Sequence, residues 1–209
     1  MHKQSAASGA SDLPALHGCT SARFAHLFWP ALTTLAILVA TGGQLHWQGR
    51  QWWCACGQWF LWTSDAWGPH NSQHLLDPYS LTHVLHGLIL CGILALAAPR
   101  LPLGWRFVLA LSVECAWEIL ENSTFVINRY RAATAAQGYQ GDTVANSMGD
   151  ILSCAVGFWL ASRFGWWKSL VLLLAVEVVL LFWIRDSLVL NVLMLICPVN
   201  AIRAWQTGG

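Results

Sequence analysis

The chain has 209 residues, 56% of them hydrophobic and only 10% charged, with a net charge of +1 and 14 tryptophans. Its mean hydropathy is +0.49, which specifies an integral membrane protein, and its length allows one compact bundle and no second globular domain. The few basic residues are scattered and nearly balanced by acidic ones, which excludes nucleic acid as a partner.

Residues 1–24 are rich in Ser, Ala and Gly without apolar periodicity and read as a mobile tail. Ala25 to Leu45 reads as a first spanning helix. A retained anchor is preferred to a cleaved signal peptide, because the leader is long, weakly basic at its flank, and followed by no small-x-small site. Further spans are expected at Leu81 to Ala98, Trp105 to Ser123, Thr143 to Ala161 and Ser169 to Ile184. Ser187 to Ile202 is interrupted by Asn191, Pro198 and Asn200 and is read as a kinked sixth. The fold class is therefore all-α: an integral membrane helical bundle with five to six transmembrane helices in one domain, residues 25–205.

Ser80 and Asp142 stand where N-caps of the second and fourth spans are expected. Lys3, Arg23, Arg100, Arg106, Arg163, Lys168 and Arg203 would share one side, and Arg50, Arg129, Arg131 and Arg185 the other. The excess puts the N-terminus in the cytoplasm of a bacterial cell, with the protein in the inner membrane. Loops 46–80 and 124–142 then face outward.

The first of these loops holds Trp52, Trp53, Trp59, Trp62 and Trp67 and reads as a cap or an interfacial segment. Its Cys54 and Cys56 form a C-x-C, shorter than the C-x-x-C of redox and zinc motifs. Cys91, Cys115, Cys154 and Cys197 fall in expected spans, where cysteine behaves as a small apolar residue.

All four glutamates, Glu114, Glu118, Glu121 and Glu177, lie inside apolar stretches, where a carboxylate costs at least about 2.5–3.5 kcal/mol. Glu114, Glu118 and Glu121 share one helix face at i, i+4 and i+7. The expected topology brings three groups to one level: His83 and His86 entering the second span, Glu118, Glu121 and Asn122 ending the third with Glu114 a turn deeper, and Asp142, Asn146 and Asp150 opening the fourth. Reversing the orientation moves all three together.

Two imidazoles with several carboxylates can hold a divalent cation such as zinc, iron or manganese. They can also act as acid and base, or relay protons. The leading expectation is an outer pocket for a metal or a lipid-linked polar molecule, with membrane lipids as surroundings. His83, His86, Glu118 and Asp142 are expected as metal ligands, and these with Glu121 as the catalytic set. His74, Asp77, Glu114, Asn122, Asn146 and Asp150 would bind substrate or orient the others. A proton-coupled transporter or channel is the alternative, with Glu114 and Glu177 as deeper steps. A non-catalytic scaffold or assembly factor using the aromatic loop is the third. The pattern does not assign a reaction, and the bland reading is hydrogen bonds that hold helices together.

The run from Ser72 to Ser80, then His83, His86 and Gly87, then Glu114, Trp117, Glu118, Glu121, Asn122 and Ser123, then Gly141, Asp142, Asn146, Ser147, Gly149 and Asp150, resembles an uncharacterised family of bacterial multi-pass inner-membrane proteins. The resemblance extends from about residue 46 to the end and implies location and topology. The order His, Glu, then Asp with Asn on successive spans is also similar to VanZ-like membrane proteins. That similarity would implicate His83 or His86, Glu118 or Glu121, and Asp142 with Asn146, without assigning chemistry.

Overall fold

The computed structural model describes residues 16–134 and 138–208, with side chains from residue 28 onward. Seven helices follow in order: α1 (Leu16–Trp47), α2 (Ser80–Ala97), α3 (Leu103–Glu121), α4 (Thr124–Ala133), α5 (Val144–Trp183), α6 (Leu188–Ile196) and α7 (Asn200–Gln206). An isolated bridge between Trp62 and Leu76 is the β-type pairing among the described residues. The expected all-helical class is observed.

Among the described residues, three helices are long and apolar enough to cross a membrane: Phe28–Trp47 within α1, α2, and α5. The third helix matches the 19-residue length of a span but carries Arg106 and three glutamates. Leu35, Val39, Ile93, Leu96, Val113, Leu152, Leu174 and Phe182 present exposed apolar side chains on the bundle's outside. Asp77, His83, Glu114, Glu118, Asn146 and Asp150 are buried inside it. This inversion of a soluble protein's distribution suggests membrane association.

The first helix begins at Leu16, so it takes in part of the stretch read as a tail; residues 1–15 of that tail lie outside the described residues. Extending an existing helix adds a hydrogen bond per residue without a new nucleation cost.

A straight helix of 40 residues, the length of α5, would run about 60 Å. It is not straight, because Gly165 adopts φ 74°, a left-handed conformation that glycine enters without a Cβ penalty. The chain reverses there. Ser80 Oγ donates to Asp150 at 2.6 Å, and the adjacent Tyr79 hydroxyl donates to Asp186 at 3.1 Å. Both ends of α5 therefore lie at one end of the bundle. Its two limbs, 144–164 and 166–183, correspond to the fourth and fifth expected spans.

The sixth expected span is corrected. The segment forms a nine-residue helix, α6, and the seven-residue α7, both too short to cross about 30 Å of hydrocarbon. The helix stops at Cys197 because Pro198 follows, which disfavours helical geometry in the residue before it. Arg129 donates to the Leu195 and Ile196 carbonyls at 2.8 and 3.1 Å, and Arg203 donates to the Ala132 carbonyl at 3.2 Å. Arg203 thus joins Arg129 and Arg131 at one end, which narrows the charge asymmetry used for orientation.

The centre of the bundle is the pair formed by α2 and the first limb of α5. A Cβ on Gly87 would stand 2.0 Å from the Cys154 carbonyl oxygen, and one on Gly157 would stand 2.0 Å from that of Val84. The two backbones touch where the side chains are missing. Around them, Leu111 and Cys115 of α3, Ile151 and Cys154 of α5, and Ile37 and Leu38 of α1 pack together. A second cluster joins Leu180 and Ile184 to Ala66, Tyr79 and Leu81, holding the tryptophan-rich loop to the end of α5.

Candidate functional site

The entrance of α2, the exit of α3 and the entrance of α5 meet at one level. Gln73 Nε2 donates to the Gly141 carbonyl at 3.0 Å, the Thr143 amide to the Ser72 carbonyl at 3.0 Å, and the Val144 amide to the Gln51 carbonyl at 2.8 Å. The two expected outer loops are therefore knitted together above the helix ends. The helix caps differ from expectation. Thr143, not Asp142, caps α5, accepting from the Asn146 amide at 3.2 Å. Ser80 is the first residue of α2 and spends its hydroxyl on Asp77 and Asp150 instead.

The acidic residues divide by whether the protein itself satisfies them. Asp77 accepts from the Ser72 amide at 2.9 Å, the Tyr79 amide at 2.8 Å and Asn146 Nδ2 at 3.3 Å. Asp142 accepts from Asn122 Nδ2 at 2.9 Å and the Tyr139 hydroxyl at 3.0 Å, while its own amide donates to Asn122 Oδ1 at 2.7 Å. Burial pushes both carboxyl groups up, opposed at Asp77 by those backbone amides and at Asp142 by Asn122. These two aspartates, with Asn122 and Asn146, close the loops. Asp186 is buried as well, and burial pushes it up to about 6 against the hydrogen bonds from Ser187 and Tyr79.

Deeper in, His83 is the hub. Its Nδ1 lies 2.5 Å from Glu114 Oε1 and 3.3 Å from Glu118 Oε1, and its Nε2 lies 3.9 Å from Asp150 Oδ2. His86 Nδ1 meets Glu114 Oε2 at 3.0 Å. Glu118 is fully buried, yet neither of its carboxylate oxygens has a hydrogen-bond partner among the described residues. Such a group is costly in low dielectric unless something positive faces it.

Ligand atoms from His83, His86 and Glu114 lie within 4.8 Å of one another, and so do those from His83, Glu118 and Glu121. Asp142 belongs to neither group; its carboxylate is engaged by Asn122 and Tyr139. Glu114, expected as a substrate-binding or orienting residue and as a deeper step of the transporter alternative, stands at the centre. His74 sits in the loop above, 3.2 Å from His70, away from the His83 hub.

Glu177, a candidate transport step, has a structural task. Its two oxygens accept the Leu188 and Val189 amides at 2.9 and 3.3 Å, which satisfies two of the orphan donors at the start of α6. The Glu177→Ala variant should lose about 1 kcal/mol of stability, as other lost caps do, with no effect on ligand binding at His83. Thermal unfolding in detergent reads the first and metal titration the second.

Beside the hub, His86 borders a groove of about 580 Å³ whose other walls are Ile89 of α2 and Leu188, Val189, Val192, Leu193 and Ile196 of α6. It is lined almost wholly by aliphatic side chains, so the imidazole is its polar end.

Residues 45–208 match the family described as a protein of unknown function, DUF2585. The chain belongs to this family. It is similar to the UPF0314 protein of Paracoccus denitrificans, 45% identical over 179 residues that cover 86% of this chain and 93% of that protein. Comparable similarity holds for the UPF0314 protein of Sphingopyxis alaskensis, 43% identical over 178 residues (85% of this chain, 95% of that one). The UPF0314 protein of Brucella anthropi is 40% identical over 178 residues (85% and 90%). No solved structure matches the chain. These matches bear out the first resemblance read from the sequence and give the VanZ-like one no support.

Proposed function

We propose that this DUF2585 protein is a multi-pass inner-membrane protein that holds a divalent cation on His83, His86, Glu114 and Glu118, at the polar end of a lipid-binding groove. The observation that carries the reading is Glu118, buried with neither oxygen hydrogen-bonded among the described residues and with Oε1 facing a single imidazole nitrogen at 3.3 Å. A cation would satisfy it, and mixed imidazole and carboxylate donors suit zinc, iron or manganese. Because His83 Nδ1 and His86 Nδ1 both aim at Glu114, the same atoms can hold protons in the metal-free protein and an ion in the loaded one.

A lipid chain is the fitting occupant of the groove, since its walls are aliphatic and the neighbouring surfaces carry exposed apolar residues. Its volume lies within the common range for ligand sites, about 300–1,000 Å³. The headgroup would then reach His86 and the cation, where hydrolysis or transfer could follow. In the orientation read from the sequence, this end of the bundle faces outward. The transporter alternative loses one of its two deeper steps, because Glu177 serves α6.

The test is a Leu193→Trp variant, which fills the groove without touching the polar hub. Native mass spectrometry of protein purified in mild detergent should find bound lipid on the wild type. The variant should retain about a tenth as much, a loss of roughly 1.4 kcal/mol of binding. Equal retention by both proteins would remove the groove from the site.

A further inference from the structure

Apart from the buried hub, the tryptophan-rich loop gathers a second set of donors. Cys54, Cys56, His70 and His74 each offer one ligand atom, and the four atoms lie within 4.8 Å of one another. Cys54 Sγ is 3.9 Å from His70 Nδ1, Cys56 Sγ is 3.8 Å from His74 Nε2, and the two imidazole nitrogens are 3.2 Å apart.

Tetrahedral zinc with bonds of about 2.3 Å to sulfur and 2.0–2.1 Å to nitrogen requires nitrogens about 3.3 Å apart and sulfur to nitrogen about 3.6 Å. The observed distances match within a few tenths. The two sulfurs, at 2.8 Å, are closer than such a site needs and far longer than a disulfide bond of about 2.05 Å. The exposed side chain of Cys56 leaves room for them to separate.

We infer that the loop carries a structural zinc site of Cys₂His₂ type, built from Cys54, Cys56, His70 and His74. Four protein donors leave no open position, which marks a structural rather than a catalytic centre. The surroundings suit thiolate ligands. The Cys56 amide points at Cys54 Sγ at 3.4 Å, and the Gln58 amide points at Cys56 Sγ at 3.4 Å. Such N–H contacts orient and stabilise ligating sulfur. The rings of Trp53 and Phe60 pack on His74, with centroids 6.4 and 4.8 Å away, and limit access by water.

The sequence carries this signal as C-x-C followed, after 13 residues, by H-x-x-x-H. Reading the C-x-C alone, as shorter than the usual pair, misses it. The consequence is mechanical. His74 is followed by Leu75, whose carbonyl oxygen would stand 1.8 Å from a Cβ on Gly149, so an ion at His74 pins the loop directly onto the first turns of α5.

The test uses the full-length protein purified in detergent with reductant and without chelator. Elemental analysis should find about one zinc per chain attributable to this site, lost in Cys56→Ser and in His70→Ala but retained in His83→Ala. The last comparison separates the loop site from the buried hub. Cobalt exchanged into the unmodified protein should give thiolate-to-cobalt charge-transfer absorption, which needs no variant to fold. Absence of that absorption would overturn the proposal, as would zinc content unchanged by Cys56→Ser. So would an intact mass showing Cys54 and Cys56 joined to each other in protein purified without reductant.

Discussion

Gly157→Ala should be among the most damaging single-methyl changes in this protein, lowering stability by about 3 kcal/mol, the upper end of what overpacking costs. The added carbon would lie 2.0 Å from the Val84 carbonyl oxygen and 2.8 Å from its carbon. Those are backbone atoms of a packed helix and cannot rotate away as a side chain could. The helices must separate, and His83 on α2 then moves relative to Asp150 on α5. The natural comparison is Gly92→Ala in α2, the helix that Gly157 faces, where no atom of the described residues lies within 4 Å of the new carbon. That substitution should be neutral or stabilising by about 0.5–1 kcal/mol, because alanine favours helix over glycine. Thermal unfolding of both variants in one detergent checks the pair; melting temperatures that coincide would refute the close backbone contact.

The second large effect concerns Glu118 and has opposite signs for stability and binding. Glu118→Met keeps the length of the side chain and removes two buried oxygens that make no hydrogen bond among the described residues, only a 3.3 Å contact of one with His83 Nδ1. The metal-free protein should gain about 1–3 kcal/mol, the usual cost of an unsatisfied buried polar group. Metal affinity should fall at least tenfold, since the variant loses a ligand. A residue present only to hold helices together would behave otherwise, with its removal destabilising the bundle. Chemical unfolding of chelator-treated protein beside metal titration reads both quantities. A destabilised Glu118→Met protein with unchanged metal binding would make Glu118 a structural residue.

Much of the bundle was legible because its signals are local. Glu114, Glu118 and Glu121 at i, i+4 and i+7 fixed one polar face of α3, and the Arg163 to Lys168 break marked the reversal that Gly165 makes. Interruption by Asn191, Pro198 and Asn200 was also visible, but an apolar stretch of spanning length outweighed it in the reading. The short α6 and α7 instead rest on α4, through Arg129 of α4 to the end of α6 and Arg203 of α7 to the Ala132 carbonyl, partners that no local pattern names.

The polar cluster was legible as a set of residues and less so as a set of pairings. Periodicity assigns a side chain to a face and leaves open which neighbour it meets. Asp142 and His83 were read as sharing an ion, whereas Asp142 turns to Asn122 and Tyr139. Glu114, a turn deeper than its neighbours, looked secondary and proved to be the contact shared by both imidazoles. Glu177 looked unpartnered because its partners, the amides of Leu188 and Val189, lie beyond the end of its own helix.

The most direct test of a cation at the hub is the first-row metal content of Cys54→Ser, Cys56→Ser protein, in which the loop site is silenced, measured with and without His83→Ala. Zinc, iron or manganese near one per chain, lost when His83 is replaced in a protein that remains folded, is the predicted result. Metal absent from both proteins after titration with all three ions would contradict it and leave the cluster to proton transfer and hydrogen bonding.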